Sequence, residues 1–138
     1  MIYTKNVLYL GFLLLVLSFS VIANVESNAL DGKVFVGVTG VQGYEKGAVE
    51  NDEVGFREGE FFSNGCAEWG FKASEYLTEK TGDDIHFSSI LLSDDHGKIV
   101  WEGTVQGGNI EANFTWTKER WWWFDAHEVK WFKGKLKK

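Results

Sequence analysis

The segment Lys98–Lys118 constrains the fold of this chain more than any other. Ile99, Trp101, Gly103 and Val105 alternate with Val100, Glu102, Thr104 and Gln106. After Gly107-Gly108-Asn109 the alternation resumes, with Ile110, Ala112, Phe114 and Trp116 against Glu111, Asn113, Thr115 and Thr117. Successive side chains of a strand point to opposite faces, so a period of two across a glycine-rich turn is the signature of a β-hairpin. One face of this hairpin is aromatic and the other is polar.

The rest of the chain reads in the same way. Proline is absent and glycine occurs 16 times, so Gly, Asn and Asp must make the turns. The glycines recur at short intervals, as in a series of short strands joined by hairpins. Further strands are expected over Lys33–Gly40, Glu53–Arg57, Glu60–Ser63, Phe71–Lys80, Ile85–Ser93 and Val129–Leu136. Tight turns fall at Glu58-Gly59 and Thr81–Asp84, and one helical turn near Cys66–Gly70. Three strands share a pattern that ends on glycine: Lys33–Gly37, Lys98–Gly103 and Lys130–Gly134. An interior glycine weakens a strand unless the chain bends sharply there, which the coiled strands of a barrel must do. The expected fold is therefore all-β, an antiparallel up-and-down barrel of about eight strands. A two-sheet β-sandwich is the alternative.

The N-terminus sets the compartment. Lys5 is the one basic residue of Met1–Asn6, Val7–Ala23 is almost purely apolar, and charge resumes at Glu26. A basic start, an apolar middle and a small-residue close at Val21-Ile22-Ala23 are the layout of a secretory signal peptide. The apolar run is shorter than the roughly 20 residues of a membrane-spanning helix, and no basic cluster follows it. Residues 1–23 are thus read as a signal peptide, cleaved after Ala23, and 24–138 as a single β-barrel domain that is periplasmic or secreted. Loss of Lys5 takes the net charge from −6 to −7, against the basic face that nucleic-acid binding needs.

Several short motifs run through the mature chain. They are Leu30-Asp31-Gly32-Lys33, Phe56–Ser63 leading to Cys66 and Trp69-Gly70-Phe71, Trp101–Thr104, Trp116-Thr117-Lys118, and Trp131–Gly134. In these the chain resembles an uncharacterised family of small exported bacterial β-barrel proteins, lipocalin-like or avidin-like (calycin-like) in look. The resemblance implies a barrel that binds a small molecule in its mouth. The Gly-x-Trp of lipocalins proper is absent, since Lys33 and Val34 follow Gly32.

The sharpest chemical feature is aromatic. Phe114, Trp116, Trp121, Trp122, Trp123, Phe124, Trp131 and Phe132 fall within 19 residues. Three consecutive tryptophans cannot all face inward on a strand. Trp101, Phe114 and Trp116 are expected to line a ligand cavity, with Trp121, Trp122 and Trp123 at its rim, for a small apolar or amphipathic molecule. The competing reading of the same residues is that they fill the core. The alternative function is a surface module that docks a protein partner through the tryptophan strip. Docking to a membrane is the weaker form of that reading, because the chain is acidic.

Cys66, the one cysteine, is read as a buried thiol, with a dimer bridge or a reactive group as the other roles open to it. His86, His96 and His127 show no metal-ligand spacing, so neither metal nor cofactor is expected. No nucleophile elbow or phosphate loop is present, and an enzyme is not expected. Intact-mass spectrometry of the exported protein should return the mass of residues 24–138. A mass that includes residues 1–23 overturns the cleavage assignment.

Overall fold

The structure, a computed structural model, describes residues 25–26, 28–44, 46–120 and 125–138. The expected leader and Trp121–Trp123 lie outside the described residues. Nine strands are present: β1 (Val25–Glu26), β2 (Val34–Val41), β3 (Glu50–Arg57), β4 (Glu60–Ser63), β5 (Ser74–Thr81), β6 (Asp84–Ser93), β7 (Gly97–Gln106), β8 (Asn109–Lys118) and β9 (Ala126–Leu136). One short helix, α1 (Asn64–Ala67), follows β4.

Each strand from β2 to β9 pairs antiparallel with the next, and β9 returns to pair with β2. The result is a closed eight-stranded up-and-down barrel, which sets aside the sandwich. The β7–β8 hairpin follows the expected register, with Trp101 opposite Phe114 and Gln106 opposite Asn109. Glu58 and Gly59 both take positive φ, 51° and 77°, so the β3–β4 turn is of the primed type that matches strand twist. β1 pairs with Thr78 and Glu79 on the edge of β5 that faces β4.

Three boundaries differ from the sequence expectation by three residues, and the other strand ends agree to within one. β3 begins at Glu50 rather than Glu53, and β9 at Ala126 rather than Val129. The added residues form regular ladders, but Glu50, Asp52 and Glu128 are polar at inward positions, so no apolar alternation marks them. β5 begins at Ser74 rather than Phe71, because Phe71 belongs to the loop that leaves α1.

Glycine allows the barrel to close. Gly37 of β2 lies opposite Gly134 of β9, and a Cβ on Gly37 would overlap the Lys133 carbonyl oxygen. Gly103 faces Ala112, where a Cβ would sit 2.6 Å from the Glu111 carbonyl oxygen and 2.7 Å from the Phe87 ring. These are three glycines of the repeated strand pattern. On the outer face, Trp131 covers Gly40 and Phe62 covers Gly55 across their strand pairs, shielding backbone that has no side chain of its own.

The interior is an aromatic column. Phe56 meets Phe35, Phe61, Tyr76 and Phe87 at centroid distances of 6.4, 5.2, 4.8 and 5.1 Å. Phe61 leads on to Trp101 at 5.0 Å, and Trp101 stacks on Phe114 at 4.1 Å and 15°. Eight strands enclose a space just wide enough for such side chains. One end is closed by the segment before β2. Leu30 is fully buried there; its N–H donates to the Tyr76 hydroxyl (3.2 Å), which donates to Asp31 Oδ1 (2.7 Å). Asp31 also accepts from the Gly59 N–H, pinning this plug to the β3–β4 turn.

Gly37→Ala should destabilise the barrel by about 3 kcal/mol or more, because the new methyl meets backbone that cannot yield. Gly107→Ala, in a turn with open space at φ 58°, should cost about 1 kcal/mol. Urea midpoints of the two variants check this; equal shifts would remove the seam argument.

Candidate functional site

Among the described residues, nothing closes the other end of the barrel. It is framed by the end of β2, the start of β3, α1, the β6–β7 turn, the end of β8 and the start of β9. A cavity of about 880 Å³ enters here, within the size range of small-molecule sites. Its apolar side is formed by Cys66, Phe71, Ile99, Phe114 and Trp116. Its polar lining is Thr39, Glu50, Asp52, Glu128 and Lys130, the last two directly opposite Trp116 and Phe114 in the β8–β9 ladder. A second hollow of about 820 Å³ lies outside β5–β9 among Glu79, His86, Glu102, Thr104, Glu111 and Lys133. Those are outward strand positions, and the hollow is the saddle of a twisted sheet.

Local bonding holds the rim in shape. Ser63 caps α1, its Oγ accepting from the Cys66 N–H (3.0 Å) while donating to Asp52 Oδ2 (2.6 Å). Asp52 Oδ1 accepts from the Gly65 and Glu53 N–H groups, both at 2.8 Å. Gly70, at φ 81°, ends the helical turn and lets the chain run back toward β5. The Ser93 hydroxyl donates to the Trp69 carbonyl (3.0 Å) and accepts from the His96 N–H (3.2 Å), joining the α1 loop to the β6–β7 turn. The Trp116 indole N–H donates to the His96 carbonyl at 2.6 Å. Inside the mouth, Lys130 Nζ lies 3.5 Å from Glu128 Oε1.

Phe114 and Trp116 line the mouth. Trp101 is fully buried one step deeper, in the filled part of the barrel. The expected rim tryptophans Trp121, Trp122 and Trp123 lie outside the described residues. Cys66 is buried on the floor. Burial pushes its thiol up to about 11, and the Asp52 charge adds to that. The Ser63 hydroxyl, the Trp101 indole and Lys130 act in the opposite direction and do not prevail. A thiol so held is neutral at pH 7, whereas nucleophilic cysteines are thiolates there.

Sequence reasoning missed Thr39, Asp52, Glu128 and Lys130. The signal was strand parity: Asp52 shares the face of Val54 and Phe56, and Glu128 and Lys130 that of Phe132. Among the described residues no three His, Cys, Asp or Glu side chains converge as a metal site. Comparison with protein-family models, curated proteins and solved structures finds no match to this chain. The closed eight-stranded barrel agrees with the calycin-like look of its motifs at the level of architecture.

Thiol labelling tests the Cys66 environment. With a pKa of about 11, the thiolate is on the order of one part in 10⁴ at pH 7, so labelling should be slow until denaturant is added. The folded value lies above the ordinary 9.0. The contribution of this thiol to stability is therefore full below about pH 9 and is lost as pH rises toward 11. Cys66→Ser should flatten that alkaline loss, read as urea midpoint against pH. Fast labelling of the folded protein at pH 7 would reverse the assignment.

Proposed function

We propose that this protein is an exported binding barrel, periplasmic or secreted, that holds a small apolar or amphipathic molecule in its open mouth and performs no catalysis. The observation that carries this reading is the difference between the two ends of the barrel. One end is sealed by Leu30, Asp31 and Tyr76 and the middle is filled by Phe56, Phe61, Phe87, Trp101 and Phe132. The other end holds a cavity of about 880 Å³ with an aromatic wall. A barrel used only as a scaffold would gain stability by closing that end as well, since buried apolar area is its main source of stability.

Phe114 and Trp116 are the contact residues in this reading, and Trp101 is the support beneath them. Trp101 and Phe114 stack nearly parallel, so Phe114 presents a fixed face to the mouth. Trp116, tied to the His96 carbonyl, presents its ring from the side. The family resemblance points the same way, because calycin-like barrels take their ligands at the mouth. The acidic carboxylates of the rim serve in this reading as polar groups that orient a ligand.

Titration with the neutral fluorophore N-phenyl-1-naphthylamine tests the proposal. Trp116→Ala should weaken probe binding at least tenfold with a modest loss of stability. Trp101→Ala, in the packed core, should cost about 3–5 kcal/mol of folding free energy. A Trp116→Ala protein that binds the probe unchanged, or a native protein that does not bind it, overturns the proposal.

A further inference from the structure

The charge arrangement around the mouth names a ligand class. This step rests on the reading of the mouth as a binding site. Along β3, Glu50 and Asp52 share the inward parity of Val54 and Phe56, and along β9, Glu128 and Lys130 share that of Phe132. All four line the cavity, where Lys130 is the one Lys or Arg among the lining residues. Glu128 engages it at 3.5 Å.

Asp52 is the decisive group. It is 8% exposed, and no described basic side chain forms an ion pair with it. Its three donors, the Glu53 and Gly65 N–H groups and the Ser63 hydroxyl, are all neutral. They satisfy hydrogen bonding without cancelling the charge. A buried carboxylate without a countercharge is costly, and a cation that enters beside it relieves that cost. Phe114 and Trp116, on β8 with β2 and β9 between it and β3, line the same cavity beside Lys130 and Glu128, and their ring faces also attract cations. An anionic ligand would place a further negative charge beside Glu50 and Asp52.

We infer that the mouth selects an organic cation, an ammonium group on a flat or apolar body, with the charge toward Asp52 and Glu50 and the body against Phe114 and Trp116.

Three probes of one shape test this: 2-naphthylmethylammonium, 2-methylnaphthalene and 2-naphthoate, titrated at pH 7 and low salt. The ammonium should bind at least tenfold more tightly than methylnaphthalene, with naphthoate weakest. Glu50→Gln should cut the ammonium's advantage at least threefold and leave methylnaphthalene affinity unchanged, and Asp52→Asn should cut the ratio of ammonium to methylnaphthalene affinity at least threefold. Lys130→Met should strengthen ammonium binding. If Asp52→Asn fails to fold because α1 loses its anchor, Glu50→Gln and Lys130→Met decide the matter. Methylnaphthalene or naphthoate binding as tightly as the ammonium overturns the cation assignment while the mouth stands as a binding site. Failure of all three probes to bind overturns both readings.

Discussion

The close approach of β2 and β9 at Gly37 and Gly134 is the constraint on which the rest of the structure depends. Every other seam of the barrel joins strands that are neighbours in the chain, so the loops that close them are short. The β2–β9 seam alone brings together residues about a hundred positions apart, and its pairing runs from Phe35–Leu136 to Val41–Lys130. Loop-closure entropy opposes such a contact until the ladder and the core behind it repay the cost. Without side chains at Gly37 and Gly134 the two backbones meet, and the sheet acquires an inside. Phe35 and Phe132, both fully buried on these strands, then join the aromatic column.

An inside of eight strands leaves little freedom in how it is filled. Large aromatics occupy the middle, with Gly103 and Ala112 making room for Phe87 where two full side chains would collide. The ends then solve opposite problems. At the plug, the buried backbone around Leu30 needs partners, which Tyr76 and Asp31 provide. Burial and the Asp31 bond both push the Tyr76 phenol above its ordinary range, so it stays a donor at any physiological pH. At the mouth the aromatic column stops at Phe114, and inward strand positions pass to Thr39, Asp52, Glu128 and Lys130. The barrel therefore has a polar end and an apolar end along one axis.

Most of this architecture was legible in the sequence because its physics is local. Alternation marked β7 and β8, Glu58-Gly59 marked the tight turn, and the recurrent strand glycines marked the places where strands cross closely. A helical turn was expected near Cys66–Gly70, and α1 lies just before and across its start, at Asn64–Ala67. The site was less legible, because membership of a cavity depends on strand register and on where the filling of the barrel ends. Trp101, Phe114 and Trp116 share one strand face, yet only Phe114 and Trp116 reach the mouth. Asp52 and Lys130 are charged, and a charged strand residue is ordinarily a solvated one. Only their parity with Val54, Phe56 and Phe132 separates them from the solvated residues beside them. Leu30 and Asp31, noted only as part of a motif, turn out to close the opposite end.

What keeps the mouth from collapsing is the bonding of its frame. A tryptophan at the edge of an apolar space gains by swinging in to fill it, since buried apolar area is favourable. Trp116 is held back by the bond from its indole N–H to the His96 carbonyl, and His96 is itself fixed to Ser93 and so to the α1 loop. On the other side, Asp52 holds Gly65 and Ser63, which prevents α1 from dropping onto Ile99 and Phe114. In the proposed binding role, a frame bonded in this way spares a ligand the free energy of ordering the cavity. The same carboxylate that props the frame open also contributes the charge that faces the cavity. Shape and electrostatic preference are thus coupled through one side chain, and neither can change at Asp52 without the other.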